Sequence, residues 1–263
     1  MHEAHLDLPG VKLWYRDQGG SGEPVVFLHA ATGHCGFFES SQMPVFAAAG
    51  YRPVAYDRRG YGRTACDGEA VKAGTAAGDL LALANSLGLD RFHLIGTAGG
   101  GIIALDFALG APERLRSLVV ANSLGGALDP DYLALSNSLR PPQFNQLPDD
   151  FKELGPEFRA AEPERPQLWR DLAQTTLPGG KRAPSQPMQN RITFSALEQL
   201  RLPALFLTGD ADLYSPPATV KRYANCIPGA QYQSVAAVGH SLYWEQPEVF
   251  NQTVLAFLAR HRL

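Results

Sequence analysis

The sequence predicts an α/β fold: a mostly parallel central sheet, helices on both faces, and an inserted helical cap. Three observations carry that reading. Short continuous apolar runs alternate with longer amphipathic stretches, the pattern of strands covered on both faces and of the helices that cover them. A proline-rich stretch, 125–195, breaks that rhythm without a strand-like run of its own. Gly-containing turns that bear small residues, Asp or His follow three of the strands in chain order.

The elements follow in order. "EPVVFLHA" (23–30) is an apolar run suited to a buried strand, 40–49 reads as a helix, and "YRPVAYDRRG" (51–60) is the next strand. "AAGDLLALANSLGL" (76–89) has apolar positions at helical spacing and ends near Gly88. "RFHLIGTAGG" is a strand entering a turn, and "GIIALDFALGAPERL" is the helix after it. "LRSLVVANSLGG" (115–126), "RLPALFLTGDAD" (201–212) and "AQYQSVAAVGH" (230–240) hold the remaining strands, and "QPEVFNQTVLAFLARH" (246–261) closes the chain as an amphipathic helix. Within 125–195, "RPPQF", "LPDD", "GPEF", "EPERP" and "LPGGKRAPSQP" separate short helical pieces such as 167–176. Recurrent Leu, Phe and Trp let this stretch bury apolar area, so it reads as a cap. The domains are then a core, 1–124 with 196–263, and a cap, 125–195.

Composition excludes several classes of function. The chain has 263 residues, 45% apolar and 19% charged, enough for a large core without staples. The net charge is −3 and no basic stripe is interleaved with aromatics, which argues against a nucleic-acid partner. Cys35, Cys66 and Cys226 are odd in number and widely spaced, which argues against zinc and dithiol redox chemistry. The opening "MHEAHLDLPGVKLWYRDQ" has no long apolar stretch or cleavage pattern, and no run reaches bilayer length. The expectation is a soluble, reduced, cytoplasmic protein.

Four segments carry chemistry. In "HLIGTAGGGIIAL" (93–105) a strand, a glycine-rich turn and a helix succeed one another, with Ala98 at the tip between Gly96 and Gly100. The spacing fits the G-x-S-x-G elbow, in which small neighbours let backbones approach, but the nucleophile is missing. A phosphate loop is disfavoured, because neither G-K-[ST] nor G-x-G-x-x-G is present. In "FLTGDADLYSPP" (206–217), Asp210 or Asp212 can orient an imidazole, and either can equally form a turn. In "VGHSLYWEQPEVF" (238–250), His240 follows a short strand and precedes a helix, although a lone His is more often structural. In "VVFLHAATGHCGFF" (25–38), the N–H of Ala31 can pair with that of Gly99 as an oxyanion hole. Cys35, in the same loop, reads as a small buried filler.

Taken together, "FLHAATG", "YDRRGYGRT", "IGTAGGG", "LTGDADLYSPP" and "VGHSLYWEQPE" resemble the α/β-hydrolase fold family over almost the whole chain. The resemblance implies Asp212 as the acid and His240 as the base, with Asp57 and the glycines of "YDRRGYGRT" shaping the scaffold. The chain departs from the family pattern at Ala30, where Gly is usual, and at Ala98, where Ser is usual.

Three readings of Ala98 stay open. Alanine can replace a catalytic serine as a deliberate disabling change, leaving the rest of the site intact. It can be native, with His240 and Asp212 acting as a general-base dyad in a hydrolase, a lyase or a cofactor-free oxygenase. Or the pocket can bind a ligand without turnover, as in the receptor relatives of the family. Phe37, Phe38, Leu124, Leu213 and Trp244 flank the loops where such folds place ligands, and imply a mainly apolar pocket. Arg140, Arg159 and Arg191 are cap cations able to meet a carboxylate. The resemblance implies a small-molecule substrate with an ester, lactone or vinylogous diketone group and no metal or organic cofactor. A nucleic-acid or membrane partner is not expected. The oligomeric state is left open, a homodimer included.

Overall fold

In the computed structural model, residues 2–66, 74–161, 164–180 and 183–262 are described. The buried runs become strands β3 (Pro24–Leu28), β4 (Arg52–Tyr56), β6 (Phe92–Thr97), β7 (Leu115–Ala121), β8 (Ala204–Gly209) and β9 (Gln231–Val235). All are joined in parallel, in the order β4-β3-β6-β7-β8-β9. An antiparallel pair extends the β4 edge: β1 (His2–Leu8) and β2 (Val11–Asp17), with the two-residue β5 (Ala65–Cys66) on β2. This edge hairpin escaped the hydropathy reading. β1 has no fully buried residue, so its alternation is shallow and its polar face dominates the sequence.

Side chains alternate across the pleat and divide the core into two layers. Val26 and Leu28 of β3, Leu94 of β6 and Val120 of β7 face one layer, closed by α3 (Ala76–Ser86), α4 (Gly99–Gly110) and α10 (Pro217–Cys226). Val25 and Phe27, Ile95 and Val119 face the other, closed by α1 (Gly36–Glu39), α2 (Met43–Ala48), α11 (Leu242–Glu245) and α12 (Pro247–Ala259). The single helix expected over 40–49 is thus two short ones. Pro44, in the first turn of α2, has no N–H to continue an earlier helix and favours a new start.

Between β7 and β8 the described residues form no strand. They form α5 (Pro130–Ser138), α6 (Asp149–Glu153), α7 (Pro156–Ala161), α8 (Glu164–Gln174) and α9 (Phe194–Leu197), joined by short 3₁₀ turns. The helix expected over 167–176 is the body of α8, and its Trp169 is buried against Phe37 of α1. The cap region therefore docks on the core through aromatic rings. No helix among the described residues is long and apolar enough to cross a membrane.

Candidate active site

The parallel strands deliver four loops to one end of the sheet. β6 ends at Thr97 and α4 begins at Gly99, so the whole reversal falls on Ala98, at φ 47° and ψ −114°. A side chain in that region costs on the order of 1–3 kcal/mol, and the surrounding contacts hold it there. Ala98 N donates to Ala121 O at 2.9 Å, and Ala98 O accepts from Gly101 N at 3.0 Å and from the Ser123 hydroxyl at 2.6 Å. The flanking glycines are sterically required. A Cβ on Gly96 would lie 2.5 Å from Gly100 O, and one on Gly100 would collide with the Leu28 carbonyl. Thr97 cannot serve in place of Ala98, because its hydroxyl is buried and donates to Leu28 O of β3 at 3.3 Å.

The strand next to the elbow ties it to the other two loops. Asn122, just past β7, takes φ 49°, a left-handed conformation that Asn tolerates better than most residues. Its side-chain amide donates to Asp212 Oδ2 at 3.1 Å and to Gly239 O at 3.0 Å. Asp212 is buried and saturated with donors. Oδ1 accepts from the amides of Tyr214 (2.8 Å) and Ser215 (2.9 Å), and Oδ2 from the Ser215 hydroxyl (2.7 Å). His240 Nδ1 stands 2.8 Å from Oδ2 and 2.9 Å from Oδ1. Burial alone would raise this carboxyl. The charge of His240 and these hydrogen bonds outweigh burial and hold it at about 2. An ionised Asp212 makes Nδ1–H the donor, which leaves Nε2 as the basic nitrogen of a neutral ring. Burial pulls His240 down, but the charges of Asp212 and Glu153 and the Asp212 hydrogen bond raise it above the ordinary value. Asp210, the other candidate, instead accepts from Ala237 N at 2.7 Å and acts as a turn residue.

The fourth loop follows β3. His29 is buried, donates from Nδ1 to Ala30 O at 2.7 Å, and accepts Arg58 N at Nε2 at 3.0 Å. Burial holds it well below the ordinary range, so it is neutral. Arg58 also donates to Ala30 O at 3.1 Å, so the carbonyl of the Ala30–Ala31 peptide is held from behind and its N–H is presented on the other edge. Gly99 lies beside it: a Cβ built there would stand 3.4 Å from Ala31 N. Asp57 anchors this loop, accepting Cys35 N and Arg63 N, each at 2.8 Å. Ligand atoms of His34, Cys35 and Asp57 lie within 4.8 Å of one another. They do not suit a metal cation: Gly36 N donates to His34 Nδ1, and the Arg63 guanidinium stands 3.1 Å from Cys35 Sγ.

Two acids to which the sequence assigns no role complete the surroundings. Glu153, at the end of α6, is buried, and its carbonyl accepts His240 N at 2.8 Å. Glu245 accepts the amides of Gly155 (2.7 Å), Gly239 (3.0 Å) and Ser241 (3.3 Å), and burial pushes it up to about 7. The Tyr214 ring packs 4.5 Å from that of His240, and Phe144 of the cap region stands edge-on to Tyr214 at 5.0 Å. Glu245 and Tyr214 lie inside the quoted motifs, but nothing in the sequence marks Glu153, Asn122 or Ser215 as partners of the dyad.

The expected pocket residues divide. Phe38 is fully buried and packed on Phe27 (5.2 Å) and Tyr243 (5.3 Å). Phe37 is likewise buried, at the joint between Trp169, Tyr243 and Trp244. Both belong to the short helix α1, whose apolar side must face the sheet. Trp244 and Leu124 are half-buried, and Leu213 is exposed. Of the cap arginines, Arg140 pairs with the Ser136 hydroxyl, Arg159 stacks on Phe151 and Arg191 is exposed.

Comparison with known proteins places this geometry. The profile of the alpha/beta hydrolase family matches residues 25–253. The chain belongs to that family. It is 28% identical to a 2-hydroxy-6-oxononadienedioate/2-hydroxy-6-oxononatrienedioate hydrolase of Paraburkholderia phymatum, over 95% of this chain and 92% of that protein. Among solved structures it is similar to a thermophilic esterase of Thermogutta terrifontis (TM-score 0.80, 25% identity, 99% of this chain and 98% of that one). A bromoperoxidase of Bacillus anthracis shares the fold (TM-score 0.76, 23% identity, 98% and 99% coverage). As a member of the family, the chain retains an elbow-shaped turn around a tip that has no nucleophile.

Proposed function

We propose that this protein hydrolyses a small, mainly apolar carbonyl compound through a general-base dyad, without a covalent intermediate. The carbonyl is an ester, a lactone or the vinylogous diketone of a ring-cleavage product. The observation that carries the reading is the hydrogen bond from buried His240 to ionised Asp212, kept intact beside an elbow that offers no acyl acceptor. In this mechanism the substrate carbonyl sits against the amides of Ala31 and Gly99, which stabilise the charge that develops on its oxygen. His240 Nε2 takes a proton from water as the water attacks. Asp212 holds the tautomer and stabilises the imidazolium, which then returns its proton to the leaving group. The methyl of Ala98 replaces the nucleophile with an inert floor. Relatedness to a C–C bond hydrolase and an esterase supports these substrate classes.

The test is turnover of p-nitrophenyl esters, lactones and a vinylogous diketone by the unaltered chain and by His240→Ala. General-base catalysis is worth about 10²–10⁴-fold, so loss of at least a hundredfold is expected. Equal rates for the two proteins on every substrate would refute the reading.

A second reading rests on the elbow itself. The strained φ and ψ at Ala98 are those of a turn built to present a side chain, which favours a site derived from a serine hydrolase. In that case Ala98→Ser reacts covalently with an organophosphonate at residue 98, and the unaltered chain does not. No adduct with Ala98→Ser would set this second reading aside.

A further inference from the structure

Glu153 belongs to the cap region, yet it touches the loop of the proposed base in two ways. Its carbonyl accepts the His240 amide at 2.8 Å, and its Oε2 accepts the Ser241 hydroxyl at 3.3 Å. The side chain of Thr32, the neighbour of Ala31, also faces the carboxyl and opposes the effect of its burial. One residue therefore spans α6, the base loop and the oxyanion loop. Its side chain is buried, and among the described residues no Lys or Arg forms an ion pair with it. A buried carboxylate without a fixed counter-ion is costly unless a nearby cation forms to meet it. The group that can become one here is the imidazole of His240.

We propose that Glu153 is a positioning residue for His240, one that locks the base loop and the oxyanion loop to the cap region and supplies a second carboxylate for the imidazolium. The inference rests on the reading of His240 as the base. It gives the imidazolium a second buried acid beside Asp212, while Glu245 of α11, held on the amides of Gly239 and Ser241, acts on the ring as a third, weaker charge. The groups facing Glu153 are Thr32 from the oxyanion loop, His240 and Ser241 from the base loop, Asp212 and Tyr214 from the loop after β8, and Tyr243 from α11. Of these only His240 becomes cationic. Burial raises the Glu153 carboxyl, while the charge of His240 opposes that rise.

Glu153→Gln keeps the main-chain carbonyl and the side-chain shape and removes only the charge. The readout is titration of the His240 ring by NMR in the full-length protein, alongside the pH profile of turnover. Removal of the charge lowers the His240 midpoint by roughly one unit, and moves the acid limb of the profile down with it. Ser241→Ala removes a hydrogen-bond donor but no charge, and leaves the midpoint in place. An unchanged midpoint in folded Glu153→Gln overturns the proposal. If that variant does not fold, Glu153→Asp decides: it keeps the charge but withdraws it from the loop, so the His240 midpoint must fall in the folded protein, and an unchanged midpoint overturns the proposal. The NMR titration needs no turnover, so its failure is distinct from failure of the general-base reading, which His240→Ala tests.

Discussion

The elbow and the dyad loops stand at the same end of the sheet, with β7 between them, and are held in different ways. The elbow keeps its backbone: Ala98 at φ 47°, and glycines at 96 and 100 whose neighbours leave no room for a Cβ. Its reactive atom is absent. The dyad keeps its chemistry: every oxygen of Asp212 has donors, and His240 is fixed at the ring and at the backbone. The elbow is held by sterics, which ignore what its tip carries. The dyad is held by charge and hydrogen bonds, which fail when a partner changes. An imidazole and two buried acids maintained beside a methyl group are what general-base chemistry needs and what a packing turn does not.

Four experiments probe this difference, from the largest expected effect to the smallest. Asp212→Asn strikes the charged side. It removes the acceptor that fixes the His240 tautomer and should lower turnover by about 10²–10⁴-fold while the elbow is unaffected. Gly100→Ala strikes the steric side. Its Cβ would meet the Leu28 and His29 carbonyls, and thermal unfolding should show a loss of about 3 kcal/mol or failure to fold.

The third probe compares two histidines. His93 is buried beside Ser117 (2.7 Å) and Glu23 (3.4 Å), and burial lowers it to about 4. Its folded value lies below the unfolded one, so the unfolded chain binds the proton first. Its contribution is complete above pH 6.5 and falls away between 6.5 and about 4, by up to about 3 kcal/mol. His240 is raised, so its contribution has the opposite sign: it is present below 6.5 and lost as pH climbs through the folded value. Denaturant unfolding across pH should show the acid loss disappear in His93→Gln and persist in His240→Gln. The smallest effect is at the tip. Ala98→Gly removes the side chain from a positive φ and should stabilise the fold by about 1 kcal/mol, with no loss of turnover.

How much of this was legible in the sequence follows the same division. The buried strands announce themselves, because a strand covered on both faces is apolar at every position, as in "PVVFL" and "ALFLTG". The edge strand β1 is half polar, and its antiparallel partner was passed over with it. The turns after the strand ends point to His240 and to either Asp210 or Asp212, and the family resemblance, not the turn, favours Asp212. The partners that complete the site are contacts between distant segments. Asn122 reaches Asp212 across the sheet, and Glu153 reaches His240 from the cap region, and no local pattern encodes either. Phe37 and Phe38 show a related limit: a loop position next to a site looks the same in sequence whether its ring turns towards a ligand or packs among other rings, as both do here.

The central claim is that His240 and Asp212 work without a nucleophile. A single-turnover experiment addresses it most directly: excess protein with an activated ester, product followed by absorbance and the protein by intact mass. The account predicts product from the unaltered chain with no mass adduct at any time, and at least a hundredfold less from His240→Ala. An acyl adduct on the unaltered chain, or equal product from both proteins, would contradict it.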